Sequence, residues 1–480
     1  MSKGSFYITT TLPYVNADLH MGHALEFVRA DAIARYKKLL GFDVFFNTGT
    51  DEHGLKIYEK AVSLGKDPQA FVDESFSRFQ DSVKIFGMDE EILNFVRTTD
   101  EHHIRSAQTF WKKVYDNGYI YKKNYEAKYC VGCEENKNDS ELVNGECPIH
   151  PGRKIEIIKE ENYFFKYSEF ADKLKKLYLA NPNFVVPEFR FNEIKKFIDG
   201  KLQDFSISRL KSKMPWGIEV PGDSEHVMYV WFDALINYIS TLGWPEDKKQ
   251  FEKFWVNGTP TQYCGKDNIR FQSAMWQSML IAAGLPNSHQ IIINGFITGE
   301  GGVRMSKSLG NVVNPVDVVK EYGTDALRYF LLREISSFED SPFTMERFKD
   351  AYNANLANGL GNLASRILTL SEKYLDKCPE IPDGLTKEFR EVMATFDIKK
   401  ATDLIWDKVR ELDEYIQKTE PFKIIKTDKE KGQKLISEMA IRLYAIARML
   451  NPIMPETNIT LKKLIRDNKK PEKPLFPRKD

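Results

Sequence analysis

Two histidines stand three residues apart in the segment 20–23 (HMGH), with a glycine between them. The apolar residues that follow recur at helical spacing, so this segment lies where a helix begins. His20 and His23 would share one face of that helix, and the unpaired backbone N–H groups and positive dipole end of a helix start favour anions. Because Gly22 has no side chain, a ligand can approach the backbone there. These features favour a polyanion site, suited to a triphosphate, over a chance cluster.

A second group of cations and hydroxyls, the segment 304–308 (RMSKS), follows the glycine-rich stretch 299–302. A loop hinged on glycines can close over phosphates, and its cations can neutralise charge that develops during phosphoryl or nucleotidyl transfer. Taken alone, such a basic segment is as often a solvated loop as a functional one. Its presence together with the histidine segment favours the functional interpretation.

Three of the five cysteines occur with a histidine in one polar stretch, in the order Cys130-x2-Cys133-x13-Cys147-x2-His150. Two short chelating pairs of this kind offer four ligands suited to tetrahedral Zn²⁺. The alternative, four buried side chains without a metal, does not suit so polar a segment. The spacing therefore predicts one zinc ion per chain, and four protein ligands leave no open position, so its role is structural.

The elements that must position these groups begin with a strand, a helix and a second strand, over Phe6–Leu12, Gly22–Leu40 and Val44–Asn47. Gly41 stands where the helix should end. Strand–helix–strand units with short connections form parallel sheets, which bind ligands in the loops at the carboxyl ends of their strands. The predicted fold class is α/β, with a Rossmann-type parallel-sheet core.

The later parts of the chain differ in character from this core. The stretch 119–187 is rich in Lys, Glu, Tyr and Phe and holds the predicted zinc ligands, which indicates an insertion. From Pro342 onward the pattern is helical. Its amphipathic runs are Ala351–Tyr374, Thr386–Thr419 and Gly432–Asn451. The end of the chain combines prolines with many charges, which is typical of a loosely attached tail.

The predicted organisation is a core split by the insertion and followed by an all-α helix bundle. Its segments are 1–117 for the first half of the core, 118–224 for the insertion with a zinc knuckle at 126–155, 225–298 for the second half of the core, 299–350 for the loop of the second cation segment and its continuation, 351–465 for the helix bundle, and 466–480 for a flexible tail.

Composition excludes several classes of protein. The 480 residues carry 69 basic and 69 acidic side chains, which excludes a polybasic protein, although a local basic stripe can still bind phosphate. No apolar run approaches the roughly 20 residues that span a bilayer. Five cysteines in a chain of this length do not form a disulfide scaffold. We therefore expect a cytoplasmic protein that does not bind membranes.

The sequence resembles the class I aminoacyl-tRNA synthetases, and among them most closely the methionine-specific branch. Segments 20–23 and 304–308 match the two signatures of the class, HIGH and KMSKS. Supporting segments in the family's order are LPYVN at 12–16, GTDEHG at 49–54, YVWFDA at 229–234, GKD at 265–267 and NLASR at 362–366. The likeness runs from about Phe6 to about Pro455.

The resemblance implies a two-step reaction. Methionine and ATP give methionyl-adenylate and pyrophosphate, and the methionyl group then passes to tRNA(Met). The first step would depend on positioning and electrostatics, with Mg²⁺ assisting ATP. The candidate catalytic residues are His20, His23, Arg304 and Lys307, and the candidate ATP-binding residues are Gly22, His23, Gly265, Asp267 and Lys307. Arg304 stands where the family usually has lysine, so the charge is kept but its geometry differs.

The same resemblance implies a methionine pocket. Asp51 would bind the substrate ammonium, and aromatic side chains suit a polarizable thioether. The candidate residues are Leu12, Tyr14, Asp51, Trp231, Ala234, Tyr238, Gln272 and Trp276. Without the surrounding motifs, the aromatic members would be interpreted as ordinary core. Gln272 stands where many family members carry histidine, Asn268 where an aliphatic residue is common, and Leu235 where some relatives carry proline.

The resemblance also implies that the helix bundle reads the CAU anticodon, through Asn362, Arg366 and Phe422. Asn362 and Arg366 are four apart and share one helical face. Phe422 stands where tryptophan is usual; it keeps a surface on which a base can stack but lacks the indole donor. The alternative is that Phe422 is a core residue after a helix break.

Two other interpretations are another class I synthetase and a tRNA-binding paralogue without activity. The large editing insertion of the branched-chain enzymes does not fit in this length. A zinc ion with four protein ligands cannot also grip a cysteine substrate. The presence of His20, His23 and Lys307 argues against an inactive paralogue. We expect a monomer, because the sequence ends soon after the predicted bundle.

Overall fold

The computed structural model describes residues 3–133, 135–137, 139–150, 152, 154–303, 313–382 and 384–479. Its strands are β1 (Ser5–Thr9), β2 (Asp43–Thr50), β3 (Leu93–Arg97), β4 (Ile120–Cys130), β5 (Glu135–Lys137), β6 (Glu156–Phe165), β7 (Val185–Val186), β8 (Phe205–Ser206), β9 (Ser208–Leu210), β10 (Glu219–Val220), β11 (Asp223–Met228), β12 (Thr259–Gly265), β13 (Gln290–Asn294), β14 (Ile297–Thr298) and β15 (Ser341–Pro342).

The helices of the described residues run through the whole chain and dominate its last third. They are α1 (Met21–Leu39), α2 (Leu55–Ser63), α3 (Pro68–Ile85), α4 (Glu101–Asp116), α5 (Ala171–Ala180), α6 (Glu188–Asp199), α7 (Val230–Leu235), α8 (Asn237–Ser240), α9 (Lys248–Phe251), α10 (Trp276–Ala282), α11 (Pro315–Tyr322), α12 (Thr324–Tyr329), α13 (Met345–Ala351), α14 (Asn362–Tyr374), α15 (Lys387–Ala394), α16 (Ile398–Thr419), α17 (Pro421–Thr427), α18 (Lys429–Met449) and α19 (Pro455–Arg466). None of these helices is long and apolar enough to cross a membrane.

A parallel sheet in the order β3-β2-β1-β12-β13-β7 forms the centre of the described structure. Its inner strands are buried on both faces, as β13 illustrates with fully buried isoleucines at 291–293. The chain enters at β1, moves outward to β3 and returns on the other side of β1 at β12. Loops that leave β1 and β12 therefore open a crevice at the carboxyl edge of the sheet. The predicted α/β class with a Rossmann-type core is confirmed.

Helix α1 connects β1 to β2 and lies against the sheet. Leu25, Val28 and Ile33 are at most 1% exposed, which agrees with the apolar periodicity of this segment. The helix is followed by Gly41 at φ 89°, a left-handed conformation that glycine adopts without strain. The N-terminal end of α1 therefore lies at the crevice, and the rest of the helix packs in the core.

The insertion is built on a long antiparallel pair, β4 and β6, with Ile120 opposite Phe165 at one end and Tyr129 opposite Glu156 at the other. The predicted boundary of the insertion, 118–224, needs one correction. Strand β7 lies within that range but pairs with β13 of the core sheet, with Val185 opposite Ile291. Two residues cannot show an alternating pattern, so the sequence does not reveal such a strand.

The helix bundle packs directly on the core. One hydrophobic cluster continues from α1 through α12 to α14, α16 and α18. The hydroxyl of Tyr36 in α1 donates to the carbonyl of Arg390 in α15 at 3.0 Å. The run predicted over 386–419 is divided, because Phe396 adopts a left-handed φ of 60° between α15 and α16.

The prediction of a flexible tail over 466–480 is wrong for its last described residues. Phe476 is 9% exposed and its ring lies 6.2 Å from that of Tyr352. The side chain of Asn353 donates to the carbonyl of Lys479 at 2.7 Å and accepts from its N–H at 3.0 Å. A composition of prolines and charges indicates disorder, but a buried aromatic ring and backbone hydrogen bonds to π-helical residues of the bundle hold this short segment.

Candidate active site

The histidine segment forms the start of α1, at the carboxyl end of β1. His20 caps the helix: its Nδ1 accepts from the N–H of Gly22 at 3.1 Å. The N–H of His20 donates back to Nδ1 of His23 at 3.3 Å, and the two rings stack with centroids 3.8 Å apart. A Cβ at position 22 would lie 2.9 Å from Cε1 of His20, so the stack requires glycine there.

These hydrogen bonds determine what the rings can donate. Since Nδ1 of each ring accepts a backbone N–H, the proton of the neutral ring is on Nε2. Burial, and then the neighbouring His20, lower the pKa of His23 well below its ordinary value. His23 is therefore neutral at pH 7 and offers an N–H group instead of a charge. This arrangement can bind phosphate oxygens without repulsion between the rings.

Glu26 lies one turn further along α1 and is a residue that sequence reasoning missed. Its Oε1 accepts from both the N–H and the hydroxyl of Thr11, each at 2.6 Å. Burial raises the pKa of Glu26 to about 8, against the effect of the Thr11 hydrogen bonds, and nearby Asp267 raises it further. This carboxyl group therefore connects the loop after β1 to the opposite wall of the crevice. Its acidic type inside the otherwise apolar run 24–28 was the available signal.

The opposite wall comes from the end of β12. A Cβ on Gly265 would lie 2.7 Å from Oδ1 of Asp267, so this turn also requires glycine. Asp267 accepts from the side chain of Asn268 at 3.2 Å and is exposed. The structure thus brings the predicted ATP-binding residues of 20–23 and 265–267 to neighbouring strands. Arg304 and Lys307 lie outside the described residues.

The methionine candidates Tyr14 and Asp51 are adjacent. They form an isolated parallel bridge, in which the N–H of Asp51 donates to the carbonyl of Pro13 at 3.0 Å. Asp51 follows β2 directly and is 4% exposed. The bridge extends the pairing of β1 and β2 beyond their ends, and so fixes the backbone of Asp51 at the carboxyl edge of the sheet.

Gln272 and Tyr238 are joined by a hydrogen bond, although they are far apart in sequence. Nε2 of Gln272 donates to the Tyr238 hydroxyl at 2.6 Å, and Oε1 of Gln272 accepts from Nε2 of Gln262 at 2.6 Å. Ser288 in turn donates to Gln262 at 2.5 Å. Where many family members carry histidine, this chain therefore keeps a donor to Tyr238. Gln262 was not predicted, because its role depends on a partner ten residues away on another element.

The remaining pocket candidates lie on several different elements. The ring of Trp231 stacks on Phe271 at 4.0 Å, in a π-helical segment over Phe271–Met275. Trp276 is fully buried and meets the ring of Tyr238 at 5.9 Å. Ala234 is 9% exposed in α7, and Leu12 is half-buried in the loop after β1. Phe271 was not predicted; π-helical turns of this kind occur frequently at functional sites.

The four predicted zinc ligands come together at the end of β4. One ligand atom from each of Cys130, Cys133, Cys147 and His150 lies within 4.8 Å of all the others. Sγ of Cys133 is 3.4 Å from Sγ of Cys147 and 3.3 Å from Nδ1 of His150. A Cβ at Gly132 would lie 2.5 Å from the His150 ring, so the turn is shaped around the cluster. The residues form a Cys₃His cluster that fits a tetrahedral metal site.

The anticodon candidates lie in the helix bundle. Asn362 is exposed at the start of α14, and Arg366 donates to Oδ1 of Asp413 in α16 at 2.5 Å. Phe422 in α17 is 40% exposed, directly after Glu420 in a left-handed conformation and Pro421. Its exposure does not fit the alternative of a core residue.

Comparison with known proteins gives the same family throughout the chain. The family model described as tRNA synthetases class I (M) matches residues 6–153 and 149–368. The methionine–tRNA ligase of Caldanaerobacter subterraneus subsp. tengcongensis is 41% identical over 472 residues, which cover 95% of this chain and 73% of the relative. That of Streptomyces coelicolor is 39% identical over 485 residues, covering 95% and 88%.

Solved structures agree with the sequence comparison. A methionyl-tRNA synthetase of Mycobacterium tuberculosis in complex with methionyl-adenylate is similar with a TM-score of 0.91 and 33% identity, over 99% of this chain and 100% of that one. The apo form from the same organism has a TM-score of 0.83 and 30% identity, over 99% and 98%.

Proposed function

Since this chain belongs to the methionine–tRNA ligases of the class I aminoacyl-tRNA synthetases, we propose that the crevice between β1 and β12 is where it joins methionine to ATP. The chain is an enzyme that activates methionine as methionyl-adenylate and transfers the methionyl group to tRNA. The observation that carries the proposed site is the convergence of 20–23, Asp51 and 265–267 at one edge of the sheet.

On the ATP side, we assign His20 and His23 to the phosphates. Their Nε2–H groups and the N-terminal N–H groups of α1 can bind phosphate oxygens as charge builds on the leaving pyrophosphate. Gly22 keeps the backbone accessible. Gly265 and Asp267 would bind the ribose, where a carboxylate can accept from both hydroxyl groups. Mg²⁺ would accompany ATP and neutralise part of the phosphate charge.

On the methionine side, the Asp51 carboxylate is the natural partner of the substrate ammonium. Tyr238 already accepts a hydrogen bond from Gln272, so its own proton can be donated to a weak acceptor such as the thioether sulfur. Trp231, stacked on Phe271, provides an aromatic surface for the methylene groups. Ala234, Leu12, Tyr14 and Trp276 would complete the pocket.

Two further groups of residues are proposed to serve tRNA and zinc. Asn362, Arg366 and Phe422 would contact the CAU anticodon of tRNA(Met) by hydrogen bonding and stacking. The Cys₃His cluster would bind one structural Zn²⁺, whose thiolate and imidazole ligands match that ion. We also propose a monomer.

Pyrophosphate exchange tests the assignment of the reaction. Labelled pyrophosphate should enter ATP when methionine is added, and not when cysteine, valine or leucine is added. Strong stimulation by one of those amino acids would contradict the proposed pocket.

Lys307→Ala tests the second cation segment. We expect exchange to fall on the order of 10²–10³-fold, because a cation that meets the transition-state charge is lost. Methionine affinity, measured by equilibrium dialysis without ATP, should stay within about twofold, since the affinity for methionine alone does not involve that charge. Lys320→Ala, an exposed lysine of α11 paired with Asp317, is the matched control. Equal losses in both variants would remove Lys307 from the mechanism.

A further inference from the structure

A buried aspartate lies between two histidines behind the methionine pocket. Oδ2 of Asp233 is 2.7 Å from Nδ1 of His53, and Oδ1 is 2.8 Å from Nε2 of His103. Asp233 is 0% exposed, His103 is 1% exposed and His53 is 5% exposed. None of the three belongs to the site assigned above. Burying a carboxylate costs free energy of folding, even when each oxygen is paired with an imidazole. Its presence here suggests that the geometry of this group has a role.

The direction of each hydrogen bond follows from the carboxylate. An ionised Asp233 only accepts, so both imidazoles donate to it: His53 through Nδ1–H and His103 through Nε2–H. The other nitrogen of His103, Nδ1, lies 2.9 Å from the hydroxyl of Ser240. In a neutral ring this nitrogen accepts the hydroxyl proton of Ser240. One chain of hydrogen bonds therefore runs from His53 to Ser240.

Three members of this chain, His53, Asp233 and Ser240, lie within two residues of a candidate residue of the methionine pocket. His53 is two residues after Asp51, which would bind the substrate ammonium. Asp233 is directly before Ala234 and two residues after Trp231 in α7. Ser240 is two residues after Tyr238 in α8. The network thus joins the loop that carries the ammonium ligand to the two helices that carry the side-chain pocket.

Glu52, between Asp51 and His53, has different partners, on β2 and β3. Its carboxylate accepts from Nε of Arg97 at 2.9 Å and from the hydroxyl of Thr50 at 2.6 Å. Nδ1 of His53 provides a side-chain hydrogen bond from this loop to Asp233 of α7.

We propose that Asp233, His53 and His103 are positioning residues that set the distance between the Asp51 carboxylate and the side-chain pocket, and thereby the affinity and selectivity for methionine. This proposal rests on the proposed function, because it takes Asp51, Trp231, Ala234 and Tyr238 as the methionine site. A carboxylate displaced by even a fraction of an ångström weakens a charge-assisted hydrogen bond, whereas ATP binds at a different part of the crevice.

The test compares two substitutions at His53. His53→Ala removes the donor, and we expect the KM and the dissociation constant for methionine to rise about tenfold or more, with the KM for ATP within about twofold. His53→Asn places an amide N–H close to the position of Nδ1, and should recover most of the methionine affinity. His103→Ala and His103→Gln form the equivalent pair, because the glutamine amide approximates Nε2.

A loss of folded protein would give a different pattern. Active-site titration of adenylate formation gives the fraction of competent enzyme, and partial unfolding lowers that fraction without changing KM. Selectivity provides a second measurement: the ratio of kcat/KM for methionine to that for ethionine should fall in both alanine variants, because the pocket and the ammonium ligand are no longer held at one separation.

The matched control is His226→Ala, which removes another buried histidine paired with an aspartate. His226 is 2% exposed, 3.0 Å from Asp223, and belongs to β11, which pairs with β9 and β10 outside the core sheet. Its loss should leave both KM values unchanged. If His53→Ala and His103→Ala also leave the methionine KM unchanged, or if the KM values for ATP and methionine rise together, the proposal is wrong. Failure of the wild-type enzyme to use methionine would instead contradict the proposed function.

Discussion

Glu26 shows how one buried group can connect binding and stability. Its carboxyl group accepts from Thr11 after β1 and is close enough to Asp267 after β12 for that carboxylate to raise its pKa. Burial raises the pKa of its carboxyl group from 4.5 to about 8. The protonated form is therefore the one that the folded crevice favours at neutral pH. A cation bound near Asp267 would offset the effect of that carboxylate and lower the pKa of Glu26.

We expect Glu26→Gln to change the pH dependence of the unfolding free energy. Below pH about 4.5 the carboxyl group is protonated in both the folded and unfolded states. Between that value and about 8 it ionises only in the unfolded state, so the unfolding free energy of the wild type loses this contribution as pH rises. Glutamine does not titrate. The unfolding free energy of the variant minus that of the wild type should therefore rise across this window and level off above it.

Urea unfolding at pH 5, 6.5 and 8 measures this difference. Glu74→Gln is the control, since Glu74 is 54% exposed and pairs with Lys66 at the surface. A difference between Glu26→Gln and the wild type that stays constant with pH would show that Glu26 is ionised in the folded protein.

The catalytic motifs and their supporting residues differ in how far they can be predicted from sequence. His20, Gly22 and Asp267 stand in short motifs whose local geometry, a helix start or a tight turn, is determined by neighbouring residues. Gln262 and Phe271 depend on contacts between distant segments, so no local pattern marks them. The pairing of Asp233 with His53 and His103 joins residues 180 and 130 positions apart, respectively. Such partners require the fold.

At the scale of elements, length and periodicity decide what can be predicted. The 19 residues of α1 and the apolar strands on either side of it are long enough to be recognised as elements from the sequence. β7 has two residues and is formed by pairing at a sheet edge, which no propensity encodes. The break at Phe396 and the π-helical turn at Phe271–Met275 are set by packing against other elements. The prediction of a flexible tail failed for the same reason, because the partners of this segment, Tyr352 and Asn353, are more than 120 residues away in the sequence.

A prediction at this scale concerns the zinc insertion. Cys133→Ser should reduce bound zinc from one ion per chain to none, because a serine hydroxyl is a poor substitute for a thiolate. Pyrophosphate exchange should fall only severalfold, since the role proposed for the metal at the end of β4 is structural. Zinc content is measured by elemental analysis of purified protein. Cys378→Ser, in the connection after α14, is the control with full zinc and full exchange.

An abolished exchange in folded Cys133→Ser protein would assign the metal a direct part in catalysis. Full zinc content in that variant would mean that the Cys₃His cluster is not the metal site.

At the scale of the whole molecule, the bundle and the core meet through a buried arginine. Arg328 is fully buried; it donates to the carbonyl groups of Pro452 and Ile453 at the end of α18 and of Phe86 after α3. It also pairs with Asp31 of α1 at 2.7 Å. Three separate parts of the chain therefore share one side chain, and the helix that carries His20 and His23 is joined to the bundle without a flexible linker.

Because the bundle and the core are joined in this way, a substitution of Arg366 can show whether the bundle affects tRNA charging alone or also the reaction in the core. Arg366→Ala should lower kcat/KM for tRNA aminoacylation about tenfold or more, because base contacts by stacking and hydrogen bonding contribute about 1–3 kcal/mol each. Adenylate formation should be unchanged, since it needs no tRNA. The Arg366–Asp413 pair is about one third exposed, so its loss should change the unfolding free energy by no more than about 1 kcal/mol.

Gln417 still donates to Asp413 in that variant, at 2.7 Å, which keeps the carboxylate paired. Arg410→Ala removes a more exposed arginine from the same helix bundle, 68% exposed and paired with Asp407, and serves as the matched control. Filter assays of methionyl-tRNA and pyrophosphate exchange on the same preparations separate the two steps. If Arg366→Ala lowers aminoacylation and pyrophosphate exchange equally, the bundle acts on the core through the contacts of Arg328 and not by reading the anticodon. If Arg410→Ala has the same effect on aminoacylation, the bundle attracts tRNA through its general positive charge.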